Sequence, residues 1–151
     1  MRLISNFKKF VSLPFKEKKL LIEAFFMLGL MRLAILGVSF KWLTRSLIPV
    51  EDWGVPVKLP IEQRRMALTI GKAIVRAARY TPWESACLAQ SLAAQRMLKR
   101  RGIPGVFYLG VMKGETEDGK LNAHAWTQCG GEIITGKGGH ENFTVMFARK
   151  W

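Results

Sequence analysis

The chain has 151 residues, with 24 Lys and Arg against 11 Asp and Glu, for a formal charge of +13. That length fits one domain able to bury its own core. Two cysteines in unlike surroundings, Cys87 and Cys129, exclude a disulfide framework or a cysteine zinc site and fit a reducing compartment. The charge points to an anionic partner (a membrane surface, nucleic acid or an acidic peptide), but it is uneven. Residues 1–50 hold nine of the basic and two of the acidic residues, whereas residues 101–151 hold six and five.

The basic start "MRLISNFKKFVSLPFKEKK" lacks the short apolar run and small-residue cleavage site of a signal peptide. The apolar segment Leu20–Leu43 follows, interrupted by Glu23, Arg32 and Lys41. A buried helix is the expectation, because Arg32 would sit near mid-bilayer in a span. Lys8, Lys9, Lys16, Lys18 and Lys19 just before it leave peripheral membrane contact open. After the proline-containing loop "LIPVEDWGVPVKLP", Ile61–Tyr80 reads as an amphipathic helix. Met66, Ile70, Ala73, Ile74 and Ala77 form its apolar stripe, and Arg65, Lys72, Arg76 and Arg79 line another side.

Next comes "TPWESACLAQSLAAQRMLKRRG". Thr81, Pro82 and Glu84 match a capping box with a first-turn proline, and Ser85 is a second candidate cap. The helix should end at Gly102, after Lys99, Arg100 and Arg101. From there the period changes to strands: "GVFYLGVMKG", a polar turn "GETEDGK", "LNAHAWTQC", a Gly130-Gly131 turn, "EIITG" and "NFTVMFARK". Helices first and an antiparallel meander last predict an α+β fold, with a basic helical region over 1–60 and a core over 61–151, together one compact unit.

The chemistry centres on Cys87. A thiol attacks as thiolate, and a helix N-terminus favours that form through its partial positive charge and free N–H groups. An imidazole nearby can take and return the proton. Alternation places Asn122, His124, Trp126 and Gln128 on one strand face, with Ala123, Ala125, Thr127 and Cys129 on the other. His124 is therefore the candidate base and Cys129 a small core residue. The backbone N–H of Cys87 would serve an oxyanion hole, with Gln90 or Gln63 as side-chain candidates. Trp83 and Trp126 are candidates for a peptide cleft or for the core. No metal or cofactor is expected, and no helix-turn-helix, zinc-finger or RNA-binding-sheet signature is present, so no nucleic-acid partner is expected.

The stretches "SACLAQSLAAQRMLKRRGIPGVFYLGV" and "AHAWTQCGGEIITG" resemble the transglutaminase-like cysteine peptidases of lasso-peptide biosynthesis, over about residues 80–150. The resemblance implies a transglutaminase- or papain-like core, its nucleophile helix packed on an antiparallel sheet. It implies Cys87 as nucleophile and His124 as base, in a cytoplasmic, stand-alone leader peptidase. Its partners would be a precursor peptide, a separate leader-recognition protein and a lasso cyclase. The leader-recognition protein would dock on the Leu20–Leu43 helix or the Arg65/Lys72/Arg76/Arg79 stripe.

The family's Asp, about a dozen residues past the His, has no counterpart. Pairing Cys129 with Glu132 across the turn sets His124 opposite Lys137, so the slot holds "GKGG", residues 136–139. Glu132 lies roughly 17 Å from that place at strand rise. Glu141 is the side chain expected to support the imidazole, with a backbone carbonyl or water as the alternative. Two other functions remain open: a basic adaptor without chemistry, and acyl transfer to an amine through the same thioester.

Overall fold

A computed structural model describes residues 11–50, 57–112 and 122–151; Lys8, Lys9, residues 51–56 of the proline-containing loop and the polar turn expected at 114–120 lie outside them. The first helix, α1 (Phe15–Gly37), follows Pro14, whose carbonyl accepts the Lys18 N–H. Leu20, Ala24, Leu28 and Met31 recur at helical spacing and form its buried row. The single helix expected over 20–43 starts earlier and breaks after Gly37. Val38 is extended, and a short α2 (Phe40–Leu43) follows. The break is a tertiary effect: it turns the Phe40 ring onto Phe107 and Phe147, at centroid distances of 6.3 and 5.2 Å.

The strand β1 (Ile48–Pro49) precedes α3 (Ile61–Ala78), which starts directly after Pro60. Its buried row is Ala67, Ile70, Gly71, Ile74 and Ala77. Met66, expected in that row, is exposed; Ala67 takes the inward position. Gly71 is where α3 meets the sheet, since a Cβ there would lie 2.4 Å from the Ile134 carbonyl oxygen. The fourth helix, α4 (Cys87–Lys99), is nearly all buried beyond its first turn. The Ile103 N–H returns to the Leu98 carbonyl and closes its C-terminal end.

The remaining strands are β2 (Val106–Met112), β3 (Asn122–Cys129), β4 (Glu132–Thr135) and β5 (Thr144–Lys150), with a 3-10 turn at His140–Asn142. They form one antiparallel sheet of order β1-β5-β2-β3-β4, the last strand lying between the first two. Gly130 and Gly131 make the β3–β4 turn with φ of 55° and 87°, the backbone that a two-residue hairpin needs. Cys129 pairs with Glu132 as expected, but Gln128 pairs with Ile133 and Thr127 with Thr135. Ile134 is thus an extra residue. The expected His124–Lys137 pairing is lost, because the register has slipped and β4 ends at Thr135.

Helices α1, α3 and α4 share one buried cluster with the sheet, centred on Leu28, Ile70, Ile74, Leu92, Met97, Leu98 and Phe107. Truncating such a residue to Ala typically costs about 2–5 kcal/mol. Charge fixes α1 in place as well. Arg101 donates to both Glu23 carboxylate oxygens at 3.0 and 2.6 Å, and Arg32 pairs with Glu84 at 3.0 Å. Two of the three charges that interrupt the apolar run, Glu23 and Arg32, are therefore tied to the protein body.

Candidate active site

Thr81, expected as a helix cap, organises a loop instead. Its hydroxyl lies 3.1 and 3.0 Å from the Ala78 and Trp83 carbonyl oxygens and 2.8 Å from the Ser85 hydroxyl. Trp83 is pulled onto α1, 5.1 Å from the Phe25 ring and so close to Gly29 that a Cβ there would sit 2.9 Å away. Burial of that indole outweighs the local capping signal, and the helix begins later than expected, with Cys87 as its first residue.

The consequence for the thiol is direct. The N-cap is Ala86, which makes no side-chain cap, and the first intrahelical bond runs from Gln90 N–H to the Ala86 carbonyl. The N–H groups of Cys87, Leu88 and Ala89 therefore belong to the open end of a thirteen-residue helix. Partial positive charge and unspent donors surround the position where a thiolate or an oxyanion would form. Gln90, a candidate oxyanion donor, gives its amide to the Ser85 carbonyl at 2.7 Å and braces the loop that enters the helix. Gln63 lies on α3, in its first turn.

Ser91, one turn after Cys87, fastens α4 to the sheet. Its hydroxyl lies 3.2 Å from that of Thr135, and its carbonyl accepts from Thr127 Oγ1 at 3.1 Å. Beyond the helix, Gly105 approaches Cys129 so closely that a Cβ there would be 2.6 Å from the sulfur. Helix α4 therefore runs in the same direction as β3, and its first turn lies toward the strand's N-terminal half, which carries His124.

The imidazole is held by its own surroundings. His124 Nε2 lies 2.7 Å from the Gly136 carbonyl oxygen. A carbonyl can only accept, so Nε2 carries the proton and Nδ1 keeps the lone pair in the neutral ring. His124 sits 5.0 Å from Phe143 and 6.0 Å from Trp126, which stacks on Tyr108. Gly110, paired with His124 across the sheet, leaves room for this, since a Cβ there would come within 3.0 Å of both Phe143 and Trp126.

Gly136 had no part in the residue-level expectation, although its "GKGG" context marked the slot. Its φ of 76° and the 2.4 Å a Cβ would leave to the Ala125 carbonyl both demand glycine. The backbone thereby puts a carbonyl where a carboxylate was expected. Glu141 is placed elsewhere, exposed on the 3-10 turn and 3.7 Å from His140 Nδ1. His140 in turn bonds the Lys137 carbonyl at 2.8 Å and packs 5.8 Å from Trp126. Trp126 is only 4 % exposed and so belongs to the core, whereas Trp83 is half-buried against Phe25 and Gly29. Burial pushes the Cys129 thiol up to about 12, which leaves it protonated and unreactive.

Cys87 begins the helix that β3 is bonded to through Ser91, and His124 lies in the N-terminal half of that strand. Thr127 turns its face to Ser91, while His124 shares the alternate face with Trp126. Among the described residues no hydrogen bond joins Cys87 to the ring.

Compared with models of known protein families, the chain matches the Transglutaminase-like superfamily over residues 30–148. Comparison with curated proteins and with solved structures gave no match.

Proposed function

Because the chain belongs to the transglutaminase-like superfamily, which includes cysteine proteases and acyltransferases, we propose that it is a cysteine peptidase that removes the leader from a ribosomally made lasso precursor peptide. The reading is supported by Cys87 opening a helix with no side-chain cap, whose next turn is bonded through Ser91 to β3, the strand that holds His124, and by a ring whose Nε2 is taken by the Gly136 carbonyl. The Cys87 thiolate attacks the leader–core carbonyl carbon, and the open N–H groups of α4 stabilise the oxyanion. The C–N bond breaks as His124 passes to the leaving amine the proton that its Nδ1 took from the Cys87 thiol. Water, deprotonated by His124, then hydrolyses the thioester and restores the thiol. Catalytic hydrogen bonds often form only with substrate in place, and closure of the thiol–imidazole contact belongs to that step.

A separate leader-binding protein supplies most of the recognition and docks on the cationic side of α3, so the chain alone is weakly active. A cyclase then closes the ring on the freed amine. The same thioester could instead be resolved by an amine, as in acyl transfer, a reading that superfamily membership also favours. The deciding experiment incubates precursor, leader-binding protein and this chain, and follows the products by mass spectrometry. Separate leader and core, absent with Cys87→Ala, support hydrolysis; an amide adduct indicates transfer; equal products from wild type and variant end the enzymatic reading.

A further inference from the structure

The outward side of α1 does not suit water. Ile22, Phe26, Leu30, Leu33 and Leu36 follow one another at helical spacing opposite the buried row, and Phe26, Leu33 and Leu36 are 69, 69 and 68 % exposed. A surface helix of a water-soluble domain would place polar residues there. A groove of about 260 Å³ continues the row toward α3, between Ile22, Phe26, Arg76 and Tyr80. By length and composition α1 could cross a membrane. Its other side, however, is built into the core through Ala24 and Leu28, and Glu23 is held by Arg101, so the helix can offer lipid one face only.

Charge identifies what covers that face. Exposed Lys16 and Lys19 lie at one end of α1, and Lys41 and Arg45 follow the other. Arg76 lines the groove, and exposed Trp42 carries the Arg45 guanidinium 4.4 Å above its ring. An apolar row with cations at both ends and an aromatic at its border matches a headgroup–acyl boundary. A second copy fits worse, because parallel or antiparallel pairing of two such helices would bring like charges together. We propose that this face of α1 lies in the surface of an anionic lipid bilayer, its apolar row in the upper acyl region and its flanking cations among the phosphates.

The test is flotation of the full chain with phosphatidylcholine vesicles, with and without phosphatidylglycerol. The doubly substituted Phe26→Asp/Leu33→Asp protein changes only exposed positions, and circular dichroism checks its fold. A Lys16→Glu/Lys19→Glu protein tests the charge. The expected result is binding to anionic vesicles that either pair of substitutions weakens by roughly tenfold or more and that Cys87→Ala leaves unchanged. Failure to float, or flotation indifferent to both pairs, overturns the proposal. So does a wild-type dimer that Phe26→Asp/Leu33→Asp makes monomeric, or loss of the leader-binding protein by that variant without any vesicle binding. The Cys87→Ala arm keeps this outcome separate from the fate of the peptidase reading.

Discussion

His124 and Gly136 form the defined polar contact of the site: the imidazole Nε2–H donates to a backbone carbonyl at 2.7 Å, at the position where a carboxylate was expected. A carbonyl fixes ring orientation and tautomer as a carboxylate does, but it brings no full negative charge to an imidazolium. Gly136→Ala would force the carbonyl away, since a Cβ meets the Ala125 oxygen and the Trp126 side chain. Displacement of a catalytic group by about 1 Å can cost on the order of 100-fold in rate. We therefore expect Gly136→Ala to lose 10- to 100-fold in leader cleavage, and Glu141→Gln to stay within about twofold of wild type, as suits an exposed acid outside the contact. A large loss with Glu141→Gln would mean that the loop closes on His124 during turnover.

Removal of the nucleophile should be far more severe. Cys87→Ala should lower cleavage by at least about 10³-fold while leaving the fold intact. Intact-protein mass spectrometry of wild type quenched early in the reaction should reveal an acyl adduct that the variant lacks.

The two cysteines should separate cleanly by alkylation. Cys87 is half-buried at the helix start, whereas Cys129 is buried with its thiol pushed up to about 12. Iodoacetamide at mildly alkaline pH should add one group to the native protein, at Cys87, and a second only after denaturation. Labelling of native Cys129 at a comparable rate would show that the hairpin end of β3 opens readily.

Glu23 links stability to pH. The Arg101 guanidinium holds its carboxyl below the ordinary value of 4.5, against an opposing push from burial. A lowered folded-state pKa gives stabilisation that is present above the unfolded value and lost as pH falls through the folded one. Denaturant titrations should show Glu23→Gln less stable by about 1–3 kcal/mol at neutral pH, with the difference shrinking as pH falls below the ordinary carboxyl value of 4.5 and on through the lowered folded one. A difference independent of pH would assign the loss to packing.

Much of this architecture is written locally. The helical periods of α1 and α3, the change to alternation after Gly102 and the Gly130-Gly131 turn each depend on neighbours a few residues apart, so the sequence alone determined helices followed by an antiparallel sheet, with Cys87 near a helix start and His124 on a strand. Where long-range packing competed with local signals, packing decided. Burial of Trp83 against Phe25 and Gly29 displaced a capping box and moved the helix start to Cys87. The Phe40–Phe147 contact broke a helix that composition would have continued. An extra residue at Ile134 slipped the strand register, and the glycine at 136 turned a carbonyl, which carries no side-chain signature, onto His124. Side-chain identity reports what a residue can do; only the tertiary fold sets which backbone atom it meets.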